Sequence, residues 1–386
     1  MATMGMSKGS YLKRITSNMH MKSIEVGEKM DGSSPPSVFI GSYGYPKVQI
    51  GPMLSPEQGD TAILDTPESW IPKKKSQEDI INFRLGLVRG KQVVGIQEFN
   101  NKLVQKLQEI SLAAGSVQSE ATFHGKPRGF TFDSEHQPFG PSASLERFDI
   151  DNVRWHPEME KTFYDTDFRS SEAIVELYKE GVLFSQIQKA LSTGTMGIGK
   201  NRRMVPTRWS ITAADTILAD HLYDEIKWNE IIDCYEVYEF SSLNNYYAVI
   251  LTPTPWQYEW LEAFIHVMGN EELIFADHEG TRGKDGYSTV GGCYYSCKFG
   301  VLEALKRMKK QAGAIVLREA YDGYVPLGVF NVRENVRNAM KQVPRKFADF
   351  RSSMGYVSSK LRLPISRFVD QSVLIKDMLS YKQTTL

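Results

Sequence analysis

Apolar residues in this chain follow two different spacings, and the irregular order in which those spacings succeed one another constrains the fold more than any single motif. Three- and four-residue steps run over residues 78–88 and 99–114, where Leu103, Leu107, Ile110 and Ala114 would share one helix face. The same spacing governs residues 170–178, opened by Ser170-Ser171-Glu172, residues 184–191, and residues 293–310 after Gly291-Gly292. A further helix is expected over 333–341, and residues 256–268 also return to helical spacing. β-rich runs fall between these: 38–41 with 47–50 as a hairpin, 231–240 with 246–251 about a turn at Asn244-Asn245, and 314–317. Such an order does not build repeated βαβ units, so the expected class is α+β, with mixed sheets packed by helices. No fixed-period repeat or heptad array occurs.

The 386 residues are 41% apolar and 24% charged, which predicts an ordered, compact chain through most of its length. Composition leaves residues 1–32 as a flexible arm, and the end of the chain as an exposed tail broken at Leu363-Pro364. Residues 125–144, rich in Gly, Pro, His and aromatics, read as a long irregular excursion. Lys plus Arg number 46 and so do Asp plus Glu, so no global positive field exists, and any nucleic-acid contact needs a local patch. Cys234, Cys293 and Cys297 make no disulfide framework, and the last two lack the second pair that a zinc site requires. Without an 18-residue apolar window or an apolar leader, neither a membrane partner nor a secretion signal is expected, and the location should be cytoplasmic.

Four constellations could carry chemistry. Gly194 to Lys200 imitates a phosphate-binding loop, but Asn201 stands where a hydroxyl would hold magnesium and the preceding residues are helical; a helix end passing into a glycine turn fits better. Just beyond, Lys200, Arg202, Arg203 and Arg208 lie within nine residues and precede Trp209. Arginine forks match phosphate oxygens and an indole can stack on a base, so this cluster is the leading nucleic-acid or phosphate contact, with Lys47, Arg318 and Arg333 as additional cations. Asp277-His278-Glu279 could serve acid–base or metal work, but a polar turn is the simpler expectation. Arg318-Glu319, at the end of the 314–317 strand, could be a ligand site or a structural ion pair, as could Arg333 with Glu334 and Arg337. No nucleophilic triad can be assembled from the seven scattered histidines.

Longer motifs point further. Ser33-Ser-Pro-Pro-Ser-Val-Phe-Ile-Gly-Ser-Tyr-Gly-Tyr-Pro-Lys-Val, Gly51-Pro52, Gly59-Asp60-Thr61, Val205-Pro-Thr-Arg-Trp-Ser-Ile-Thr, Gly291-Gly-Cys-Tyr-Tyr, Arg318-Glu319 and Pro326-Leu-Gly-Val, in that order, resemble the archaeal Nre DNA repair family. The resemblance implies a role in DNA repair beside excision-repair proteins, and a division into an N-terminal region, 33–270, and a C-terminal region, 271–386. It also implies a terminal peptide that docks on the sliding clamp. This sequence departs from the pattern twice. Residues 1–31 contain no cysteine, so the family's N-terminal zinc segment is not expected, and Gln383 to Leu386 supplies only the first half of a clamp-docking peptide, without its aromatic pair. An earlier Gln371-Ser372-Val373-Leu374 has the same spacing but also lacks the aromatics. Two other readings stay open. A DNA-processing enzyme would draw on Asp215, Asp277, His278, Glu279 and Glu319, with a divalent metal in that case alone and no other cofactor; a non-catalytic repair adaptor would need none of them.

Overall fold

A computed structural model describes residues 11, 14–15, 17, 19–21, 24–130, 138–267, 269 and 271–380. The chain forms two compact units, one of Met19–Leu218 and one of Ala219–Leu386 together with Met1–Asn18.

In the first unit a six-stranded sheet has the order β1-β5-β6-β4-β3-β2. Its strands are β1 (Lys29–Ser34), β2 (Val38–Ile40), β3 (Lys47–Leu54), β4 (Val88–Gly95), β5 (Val117–Phe123) and β6 (Ser142–Ile150). All neighbours are antiparallel except β4 and β6. The expected 38–41/47–50 hairpin is β2 and β3, with Ile40 opposite Ile50. β3 and β4 approach so closely that a Cβ on Gly51 would lie 1.6 Å from the Gly90 carbonyl oxygen, and only glycine fits there. Helix α1 (Gln77–Leu85) starts on a Ser76–Asp79 capping box, and α2 (Lys102–Leu112) on the Asn101 side chain. The apolar face of α2, Leu103, Val104, Leu107 and Ile110, packs on Val48, Ile50, Leu54 and Val88 of the sheet. Helices α3 (Pro157–Tyr164), α4 (Ser170–Lys179) and α5 (Phe184–Ser192) follow, then the long α6 (Thr207–Ile226), which belongs to this unit as far as Leu218. Inside the unit, buried Asp65 pairs with Arg84 and with Lys189 at 2.8 Å, and accepts from the Ser37 hydroxyl. Burial alone would raise that carboxyl, but the two cations hold it below the ordinary range.

The second unit has the sheet order β10-β9-β11-β8-β7-β12. Its strands are β7 (Tyr235–Ser242), β8 (Asn245–Thr252), β9 (Tyr258–Ile265), β10 (Glu272–Glu279), β11 (Gly313–Ala320) and β12 (Arg345–Phe347), with β9 and β11 the parallel pair. One face is apolar: Val237, Ala248, Ile250, Leu261, Ile315 and Leu317 pack beneath α9 (Phe350–Ser358), α10 (Ile365–Gln371) and α11 (Leu374–Ser380). The alternate residues, among them Tyr247, Trp260, Glu262 and Arg318, lie on the opposite face, on the side of α7 (Gly292–Met308) and α8 (Phe330–Ala339).

Both sheets are mixed and helices cover them, so the α+β expectation holds. Several local expectations do not. Residues 256–268, given helical spacing, contain β9: the strand is buried on both faces, so burial does not alternate along it and leaves no period of two in the sequence. Residues 277–279, expected as a turn, end β10, while the helix expected over 78–88 stops at Leu85 before Val88 opens β4. Lys29 to Gly32, assigned to a flexible arm, sit in the edge strand β1. The first part of the 125–144 excursion is irregular, its end lies in β6, and residues 131–137 fall outside the described residues. The glycine-turn reading of 194–200 fits: α5 ends at Ser192, and Gly194 has φ +68°.

Candidate nucleic-acid interface

Three segments distant in sequence are laid edge to edge in the first unit. Gly44, at φ +81°, turns the β2–β3 loop, and the Lys47 amide closes it on the Gly44 carbonyl at 3.0 Å. The next carbonyl, Pro46, accepts from the Ile96 amide at 3.1 Å, while the Ile96 carbonyl accepts from Met204 at 2.8 Å. Val205 then bonds to the Ser192 carbonyl at 2.9 Å, and the Pro206 carbonyl takes the amides of Trp209 and Ser210, both at 2.9 Å, to start α6. The Thr207 hydroxyl accepts from the Ile40 amide at 2.9 Å, which ties that helix start to the hairpin.

The outcome is an exposed ring cluster. Tyr45, 39% exposed, packs on Trp209, 49% exposed, with centroids 5.1 Å apart and planes at 52°. Tyr43, one residue before the turn, is 96% exposed. Lys47, Lys200, Arg203 and Arg208 are all exposed on the same three segments, and the Lys200 carbonyl is held by the Gln97 amide at 3.1 Å. Rings with open faces beside solvated cations can stack bases and neutralise phosphates, the combination that single-strand binding surfaces use.

Not every predicted cation belongs here. Arg202 is turned inward: Nε donates to the Gly194 carbonyl at 3.1 Å, Nη2 to Thr195 at 2.9 Å and Nη1 to Phe163 at 3.1 Å, with its guanidinium 4.8 Å over the Phe163 ring. It closes the glycine turn instead of facing solvent. Arg318 and Arg333 are buried in the second unit. Tyr43 and Tyr45 were the residues that motif reading left out as ligand contacts; the available signal was a pair of aromatics inside a Gly-Pro turn, where no core position is needed.

The candidate acids do not assemble. Asp215 is buried in α6. Asp277 and Glu279 share a face of β10, but donors surround each of them. Asp277 receives Lys284 Nζ at 2.5 Å and the Ser288 hydroxyl at 2.6 Å; burial would raise its carboxyl, and those contacts hold it below the ordinary range. Glu279 receives the Trp256 indole and the Tyr294 hydroxyl at 3.0 Å and Lys298 at 2.8 Å. His278 points to the other face, where Glu319 accepts from the Tyr321 hydroxyl and the amides of Arg362 and Leu363. Among the described residues no group of three or more His, Cys, Asp and Glu is placed to hold a metal ion. Gln383 and Leu386 lie outside the described residues, and Leu374 of the earlier Gln371 copy is buried in the apolar face of the second sheet.

Residues 4–267 match the family described as archaeal Nre, N-terminal, and residues 279–386 match archaeal Nre, C-terminal. The chain is 40% identical over 361 residues to the DNA repair protein NreB of Archaeoglobus fulgidus, covering 92% of this chain and 90% of that one. It is 33% identical over 348 residues to the DNA repair protein NreA of the same organism, 88% of each chain. A third relative, the DNA repair protein NreA of Haloferax volcanii, is 32% identical over 334 residues, 82% of this chain and 79% of that one. No solved structure matches.

Proposed function

Because this chain belongs to the archaeal Nre family, whose relatives above are named DNA repair proteins, we propose that it acts in DNA repair and contacts DNA through the Tyr43–Tyr45–Trp209 surface. One observation carries the reading: open aromatic faces flanked by Lys47, Lys200, Arg203 and Arg208, on segments locked together by main-chain bonds, in a chain of zero net charge. With no global field to attract a polyanion, a local patch must supply the affinity. Each phosphate-neutralising cation removed should lower the slope of log K against log salt by about 1, and Trp209→Ala should cost about 1–3 kcal/mol for a base stacked on it.

Fluorescence anisotropy with labelled single-stranded, duplex and branched DNA at two salt concentrations, with and without magnesium, tests this, and the same samples on a gel report cutting. Equal affinity and equal salt slope for wild type and for the triple variant Lys200→Ala, Arg203→Ala, Arg208→Ala would remove the interface from consideration and favour the adaptor reading.

Cooperation with excision-repair proteins and with the sliding clamp belongs to the same proposal; the family resemblance supports it, with Gln383 and Leu386 as the clamp contact. A functional division near residue 270 fits the interval between the two family matches, which end at 267 and resume at 279. Among the described residues no helix is long and apolar enough to cross a membrane, and we place the protein in the cytoplasm with its DNA. No cofactor is invoked, and a divalent metal enters only if the DNA is cut.

A further inference from the structure

β10 is an outermost strand of the second sheet, and its free edge carries a pattern that the repair reading does not use. From Glu272 to Glu279 it pairs with β9 on one side. The direction of each main-chain group follows from the far side of β9. There the Ala314 amide of β11 donates to the Gln257 carbonyl at 2.8 Å, so the odd-numbered residues of β9 turn their amides and carbonyls toward β11. The even-numbered ones, Tyr258 to Phe264, therefore face β10, where Leu273, Phe275, Asp277 and Glu279 stand opposite them. The main-chain groups of Glu272, Ile274, Ala276 and His278 point the other way, off the edge of the sheet.

Two contacts agree with that direction. Arg367 Nη2 lies 3.5 Å from the Glu272 carbonyl, and the His278 amide donates to the carboxylate of its neighbour Asp277 at 2.9 Å. These side chains guard the two ends of the edge. Between them, the outward amides and carbonyls of Ile274 and Ala276 are met by no described residue. Beside them Phe275 is 44% exposed, with its ring edge-on to Phe264 at 6.0 Å. An edge strand guarded at its ends, but open and apolar at its centre, is a template for another strand.

The sequence of the edge selects the partner. An antiparallel twin laid along β10 with Phe275 opposite Phe275 sets Ile274 opposite Ala276 on both sides of the axis. The two open amides of each chain then meet the two open carbonyls of the other. The same register sets Glu272 opposite His278, so the charges at the ends are complementary. Centring the pair one residue either way would instead set an open residue against a guarded one. We infer that a second copy of this chain adds to β10 in this register, joining two six-stranded sheets into one about a two-fold axis.

Sedimentation velocity of the full chain without DNA, from nanomolar to high micromolar concentration, should show monomer passing to twice the chain mass. Phe275→Lys places like charges opposite each other at the axis, and Ala276→Pro deletes an N–H that the fold itself does not use. Each should raise the Kd of the dimer at least about tenfold, while circular dichroism verifies that it is folded. Disulfide trapping reads the register. Opposed residues at a non-hydrogen-bonded position stand about 4.5 Å apart at Cα, within the roughly 4.4–6.8 Å that a disulfide spans. Phe275→Cys should therefore cross-link to its twin under mild oxidation, whereas wild type and Leu273→Cys, whose twin would lie about 14 Å away, should not. A chain that stays monomeric throughout, a dimer that both substitutions leave intact, or a Phe275→Cys protein that stays uncross-linked would overturn the assignment. Because these readouts involve no DNA, their result stands apart from that of the anisotropy experiment.

Discussion

Arg202→Ala separates a structural cation from a nucleic-acid contact within one motif. The guanidinium holds three main-chain carbonyls, those of Phe163, Gly194 and Thr195, at 2.9–3.1 Å, and lies over the Phe163 ring. Hydrogen bonds from a charged donor contribute about 1.5–3 kcal/mol each, but these three share one side chain with partial solvent access, so their loss does not add. A net cost of about 2–4 kcal/mol is expected. At roughly 2–4 °C per kcal/mol for a unit of this size, the first unit should melt about 5–15 °C lower. Arg203→Ala, on an exposed neighbour, should stay within about 0.5 kcal/mol of wild type. Calorimetry gives the melting temperatures, and anisotropy at several salt concentrations gives the phosphate count. Arg202→Ala should bind DNA with the wild-type salt slope when assayed below its transition, whereas Arg203→Ala should bind with a slope smaller by about 1. An Arg202→Ala protein that melts like wild type and shows the reduced slope would refute the anchoring role and return this side chain to the DNA.

The buried triad of the first unit makes two further predictions. Asp65→Ala leaves Arg84 and Lys189 buried without their carboxylate and should cost about 3–5 kcal/mol, measured by urea denaturation. Because the folded carboxyl lies below its unfolded value, its contribution is full above the unfolded pKa and is lost as pH falls through the folded one; stability of wild type should therefore drop at acid pH with a component that the Asp65→Asn variant lacks. At the β3–β4 contact, Gly51→Ala places a methyl against the Gly90 carbonyl and should destabilise by about 1–3 kcal/mol or prevent accumulation of folded protein, whereas Gly115→Ala, with open space around it, should be neutral in the same denaturation assay.

Strong helical periodicity was legible from sequence, as α2, α4, α5, α7 and α8 show, and so were the β2–β3 and β7–β8 hairpins, where turn residues punctuate β-rich runs. β9 was misread for a physical reason. Tyr258, Glu259, Trp260, Leu261 and Glu262 are all buried, so neither face of the strand is marked by polarity, and its two carboxylates are masked by partners that come from elsewhere in the chain, Ser372 for Glu259 and Arg318 for Glu262. α6 was missed because its apolar residues are spread around the axis without a single stripe; a helix buried on several sides loses the signal. At the candidate interface, the cation run and Trp209 could be read directly. That Arg202 turns away could not, since it depends on the carbonyls of Gly194, Thr195 and Phe163 gathering round its guanidinium, and that Tyr43 and Tyr45 join Trp209 could not, since that depends on bonds between segments about fifty to a hundred and sixty residues apart.

Ile96 gives that surface a property of its own. Its amide holds the tyrosine loop and its carbonyl holds the strand of chain that leads to Trp209, so the aromatic and cationic portions exist together only when the residues around 96 run between them. The surface is therefore a discontinuous epitope. A synthetic peptide copied from the tyrosine loop, or from the arginine-rich segment, carries the right side chains without the arrangement, and an antibody raised against either peptide would recognise denatured chain better than the folded protein.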